Sequence, residues 1–75
     1  MLLSEEVQIG LQNSIREIAM QGAKLIKFVD KTMYFSIICN GRTDEEIDSI
    51  FRMFKVRIIL LLKEDIFKIK YKVEE

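Results

Sequence analysis

The sequence predicts a small α+β domain: four strands in one antiparallel sheet, two helices packed on one of its faces, in the order helix, hairpin, helix, hairpin. Three observations carry this. Apolar residues recur at helical spacing in two stretches, they alternate at every second position in the stretches between and after, and a helix-start signal divides the two halves.

Leu3, Val7, Leu11, Ile15, Ile18 and Gly22 fall on one side of a helical wheel. Ser4 is placed to cap this helix, Glu5 and Glu6 to favour its positive end and Gly22 to stop it, so the first helix is expected over residues 4–21. Leu2, Ile9 and Met20 gather on its outer side. Residues 24–30 and 32–40 are rich in Ile, Val, Phe, Tyr and Thr and read as a hairpin turning at Asp30-Lys31. That turn lacks an Asn-Gly or Asp-Gly pair, which leaves its register open.

Gly41-Arg42 leads into Thr43-Asp44-Glu45-Glu46, a capping box in which hydroxyl and carboxylate each satisfy a free backbone N–H. Ile47, Ile50, Phe51 and Phe54 follow at helical spacing, giving a second helix that ends near Lys55. Residues 56–63 and 66–73, joined at Glu64-Asp65, form the second expected hairpin.

Pairing across Glu64-Asp65 sets Leu62 opposite Phe67, Leu60 opposite Ile69, Ile58 opposite Tyr71 and Val56 opposite Val73, all toward the helices. Ile26, Phe28, Phe35, Ile37 and Cys39 join them from the first hairpin, covered by Val7, Leu11, Ile15, Ile18, Ile50, Phe51 and Phe54.

The opposite sheet face then carries Leu25, Lys27, Val29, Tyr34 and Ile38 from the first hairpin. From the second it carries Arg57, Ile59, Leu61, Lys63, Ile66, Lys68, Lys70 and Lys72. A sheet face left to water is mostly polar, whereas this one is half aliphatic, and Arg57 stands opposite Lys72 with no anion between. Such a surface predicts a partner, with Leu25, Lys27, Val29, Tyr34, Ile38 and Arg57 as contact residues together with Ile59, Leu61, Ile66, Lys68, Lys70 and Lys72. The competing explanation is plain solvation, with lysine stems lying along aliphatic neighbours and their ammonium groups in water.

The expected function is a non-catalytic interaction or regulatory module that self-associates or docks to a larger protein through this face. The acidic Asp44, Glu45, Glu46 and Asp48 of another copy are a candidate counterpart. The alternative is nucleic-acid binding, with Arg57, Lys63, Lys68, Lys70 and Lys72 following a phosphate backbone. Tyr34 is then the one ring on that face for a base to stack on.

At 75 residues there is room for a single domain, residues 1–75. Twelve cations cancel twelve anions, but residues 1–50 carry 5 cations against 8 anions and residues 51–75 carry 7 against 4. With no histidine, the usual general base and the commonest metal ligand are missing, and Cys39 has no imidazole to activate it, so neither catalysis nor a metal or other cofactor is expected. The single cysteine and the absence of a basic, apolar leader point to a soluble, cytoplasmic protein without a membrane partner. The longest aliphatic run, residues 58–62, is too short to span a bilayer.

The element order resembles that of a half-unit of the LAGLIDADG homing endonucleases, over which residues 33–73 can be laid. That family has an acidic metal ligand at the end of its first helix, where this chain has Ala19-Met20-Gln21-Gly22-Ala23. The resemblance implies a shared scaffold without the nuclease.

Overall fold

The computed structural model describes residues 4–75; Leu2 and Leu3, placed above on the first helix, lie outside the described residues. Five elements follow in order: α1 (Glu5–Ala19), β1 (Ala23–Val29), β2 (Thr32–Ile38), α2 (Asp44–Leu62) and β3 (Lys68–Glu74). The sheet has three strands in the order β1-β2-β3, with β1 antiparallel to β2 and β3 parallel to it. The α+β class matches the expectation, but the four-stranded antiparallel sheet does not.

The difference arises in residues 56–62, expected as a strand and folded as the second half of α2. Ile47, Phe51, Phe54 and Ile58 are buried at spacings of four, three and four, so the apolar stripe that begins the helix continues past Lys55 without a break. Val56, Ile58 and Ile59 each cost only a few tenths of a kcal/mol in a helix, and no glycine or proline stands between Asp44 and Leu62 to stop it. The helix ends at Lys63, whose N–H makes the last helical bond to the carbonyl of Ile59 and whose left-handed backbone (φ 61°) then turns the chain away. Losing the third strand also reverses the last one: a parallel strand pair needs a crossover of a dozen or more residues, and α2 supplies it. The likeness to the endonuclease half-unit goes with the second hairpin.

The other local signals are realised. Ser4 accepts from the N–H of Val7, and Thr43 and Glu46 close the capping box at 3.1 and 2.8 Å. Gly22 (φ 89°) turns the chain after α1. Gly10, by contrast, lies inside α1, where a Cβ would come within 2.7 Å of Leu61, so the bare backbone lets α2 pack closely on α1. The Asp30-Lys31 turn puts both residues at positive φ (51° and 61°), the conformation of a two-residue hairpin loop.

A bulge in β1 changes which residues face the helices. Leu25 pairs with Phe35 and Lys27 with Tyr34, so Ile26 is an extra residue and the alternation slips by one. Leu25 therefore moves to the helix-facing side and packs against the core, while Ile26 is 59% exposed. Phe28, also expected inside, is 50% exposed at the sheet edge, with its ring against Phe67 at 5.2 Å.

The core consists of Ile18, Ala23, Met33, Phe35, Ile37, Ile47, Phe51, Phe54 and Ile58. Phe35 is its centre, with ring centroids 5.4 Å from Phe51 and 5.3 Å from Phe54. Cys39 is only half-buried, its thiol directed at the Arg42 carbonyl.

Candidate functional site: a lysine lattice on the open sheet face

The strand register arranges most of the face opposite the helices as three rungs. Lys24, Ser36 and Lys72 make the first, Lys27, Tyr34 and Lys70 the second, and Val29, Thr32 and Lys68 the third. Neighbouring strands are about 4.8 Å apart, so the two lysine columns flank the central column at a separation of about 10 Å, and successive rungs lie about 6.6 Å apart. Five of these nine positions are lysine and none is acidic; one further pair on the same face, Ile38 with Glu74, sets a carboxylate beyond the first rung. Among the described residues, none of these lysines takes part in an ion pair.

The lysine stems shape this surface as well as charging it. Ser36 and Thr32 are 8% and 7% exposed although no element covers them. Their neighbours across the rungs are Lys24 and Lys72 for Ser36, and Val29 and Lys68 for Thr32; lysine stems cover adjacent surface while their ammonium groups stay in water. The Lys27 ammonium sits over the Tyr34 ring, 4.8 Å from its centroid.

Of the contact residues expected from sequence, Lys27, Val29, Tyr34, Ile38, Lys68, Lys70 and Lys72 share this face. Leu25 does not, because of the bulge. Arg57, Ile59 and Leu61 belong to α2, on the far side of the molecule's sheet. Arg57 forms an ion pair with Glu17 of α1, Leu61 lies over Gly10, and the Ile59 carbonyl caps the helix end. Ile66 precedes β3. The juxtaposition of Arg57 with Lys72 therefore disappears, and of the expected aliphatic residues only Val29 and Ile38 remain on the face. Lys24, Thr32 and Ser36 were not foreseen. The slip between Lys24 and Lys27, three apart yet on one face, is set by the bulge, and nothing in the strand's composition marks it.

Most of the negative charge lies elsewhere. Asp44, Glu45 and Glu46 form the first turn of α2, and Asp48 pairs with Arg52 one turn on. Hydrogen bonds from the Thr43 backbone and hydroxyl hold the Glu46 carboxyl below its ordinary range, with a smaller contribution from Arg42. Tyr71, on the helix-facing side of β3, stacks on Phe51 at 4.3 Å. Burial pushes its hydroxyl up, and Asp48 and Asp44 push it further.

Arg42, which could have offered a cation to an anion, is committed to the fold. Its guanidinium donates to the carbonyls of Gln21 at 2.7 Å, Ile38 at 2.8 Å and Cys39 at 3.4 Å, tying the end of α1 to the end of β2. An exposed apolar stripe remains on α2, where Met53, Val56 and Leu60 follow at spacings of three and four. No described helix is long and apolar enough to cross a membrane, and among the described residues no cluster of His, Cys, Asp or Glu could hold a metal ion. No family model, curated protein or solved structure matches the chain.

Proposed function

We propose that this chain is a non-catalytic nucleic-acid-binding domain whose lysine lattice contacts the phosphate backbone. The observation that carries the reading is the sign of the open face: five lysines on three rungs, against one carboxylate, Glu74, which pairs with Ile38 at the end of the face. The charge of the whole chain is zero, yet a phosphate chain responds to the local field, and the acidic turn of α2 is kept off this surface. Each lysine that neutralises a phosphate releases a condensed counterion, so association is driven by salt entropy and weakens as salt rises. Docking of a protein on the same face, the first expectation from sequence, loses part of its aliphatic support because Ile59 and Leu61 belong to α2, where Leu61 lies over Gly10 of α1.

The test is anisotropy of a labelled oligonucleotide titrated with the protein between 50 and 200 mM salt. Binding in the range of about 1–100 μM is expected, with a log–log salt slope of about −3.5 if all five lysines engage a single strand. Replacing Lys68, Lys70 and Lys72 together by Gln reduces the magnitude of that slope by about 2. A chain that binds no oligonucleotide at 50 mM salt overturns the proposal. Light scattering on the same samples reports the protein-docking outcome: self-association dispersed by Val56→Lys, without oligonucleotide binding, assigns the interaction to the stripe on α2.

A further inference from the structure

We infer that the nucleic acid taken by this face is single-stranded, with one base stacked on the ring of Tyr34. This rests on the lattice binding phosphates, as proposed above, and adds what lies between the phosphates.

Tyr34 is at the middle of the lattice, on the central strand and the central rung, with Lys27 on one side and Lys70 on the other. Its ring is half-buried, so it presents a fixed surface, and the group over it is a flexible lysine head rather than a packed side chain. A cation over a ring face marks that face as reachable from solvent. When a base takes that place, the ammonium of Lys27 is released next to the strand that carries the base, where a phosphate can receive it. Ser36 and Thr32 stand one rung to either side of the ring; the Thr32 hydroxyl donates to the Asp30 carbonyl, which leaves its oxygen to accept.

A duplex fits this surface poorly. The major groove admits a helix or a two-stranded ribbon, whereas this is the outer face of a three-stranded sheet with two helices behind it. With no element to enter a groove, this face meets a duplex at its backbone, and the paired bases are already stacked on each other. A single strand presents free base faces, and stacking on an aromatic ring contributes without regard to sequence.

The experiment uses a Tyr71→Phe background, which leaves Tyr34 as the sole tyrosine in a chain without tryptophan. Three probes of equal phosphate number are compared: an oligothymidine, an abasic oligonucleotide and a duplex. Oligothymidine is expected to bind tightest and to quench Tyr34 emission, and the abasic strand to bind without quenching. Tyr34→Leu, which keeps apolar bulk but removes the π face, should weaken oligothymidine binding by about 5- to 150-fold, the equivalent of about 1–3 kcal/mol for one stacked base. The same change should leave the abasic strand unaffected, and Tyr34→Phe should bind as the parent does. Equal binding of oligothymidine and abasic strand, or tighter binding of the duplex, overturns the inference while the lysine lattice stands. Failure of all three probes to bind removes the lattice reading itself.

Discussion

On the helix side of β2, Phe35 and Ile37 are 2% and 0% exposed because the two helices lie over them; on the open side, Thr32 and Ser36 are 7% and 8% exposed between rung neighbours that are lysines and Val29, with no further element above them. The first kind of burial is permanent, since rings and aliphatic side chains interdigitate and a lost methylene leaves a cavity. The second is reversible, because a lysine head keeps its water and its stem can swing away. One strand thus separates two tasks: its inward side chains hold the domain together, and its outward ones are shielded by groups that a ligand can move.

The largest expected effect is on the inward side. Phe35→Ala removes the ring held between Phe51 and Phe54 and should destabilise by about 3–5 kcal/mol, close to the whole stability of a 75-residue chain at roughly 4–11 kcal/mol. Urea unfolding followed by circular dichroism measures it; a loss below about 1 kcal/mol would mean that the helix layer is not what secures β2. Next is Arg42→Ala, which strips charged donors from the carbonyls at the end of β2. A cost of about 1–2 kcal/mol is expected, the lower part of the charged hydrogen-bond range because both carbonyls keep some access to water.

Lys31→Gly acts on both faces at once by easing the positive-φ turn that fixes their register. A gain of about 0.5–1 kcal/mol should follow, the left-handed penalty of a side chain less the added entropy of glycine in the unfolded chain. The two tyrosines of the sheet extend the comparison to pH. Tyr71 has its ionisation raised in the folded chain, so its contribution to stability is present below its unfolded value near 10 and is lost as pH rises through the folded one. Tyr71→Phe should flatten the alkaline fall in stability, measured as melting temperature against pH. The smallest effect belongs to Ser36→Ala on the open face, expected within about 0.5 kcal/mol of the parent. A cost comparable to that of Phe35→Ala would erase the contrast between the faces.

Much of the fold was legible at places where a local rule decides. Ser4, the Thr43–Glu46 box and the hairpin around Asp30-Lys31 depend on neighbours within a few residues, and each stands where the sequence puts it. The errors share one cause, the ambiguity of a short aliphatic run. Residues 56–62 satisfy strand alternation and helical periodicity alike, and only the continued burial from Ile47 to Ile58 chooses between them. That single choice moved Arg57, Ile59 and Leu61 off the expected surface and left a face on which five lysines outnumber the aliphatic Val29 and Ile38. The bulge at Ile26 is of the same kind, since no residue type there demands it.

By itself, then, the sequence determined the helix starts, the first hairpin and the lysine spacing of the last strand, because caps, tight turns and a period of two are short-range properties of the chain. Only the tertiary structure decided that α2 runs to Leu62, that β3 therefore returns parallel to β2, and that Lys24 and Lys27 join Lys68, Lys70 and Lys72 around Tyr34. Those outcomes depend on which apolar stripe finds a surface to cover it, and that is a property of residues far apart in the chain.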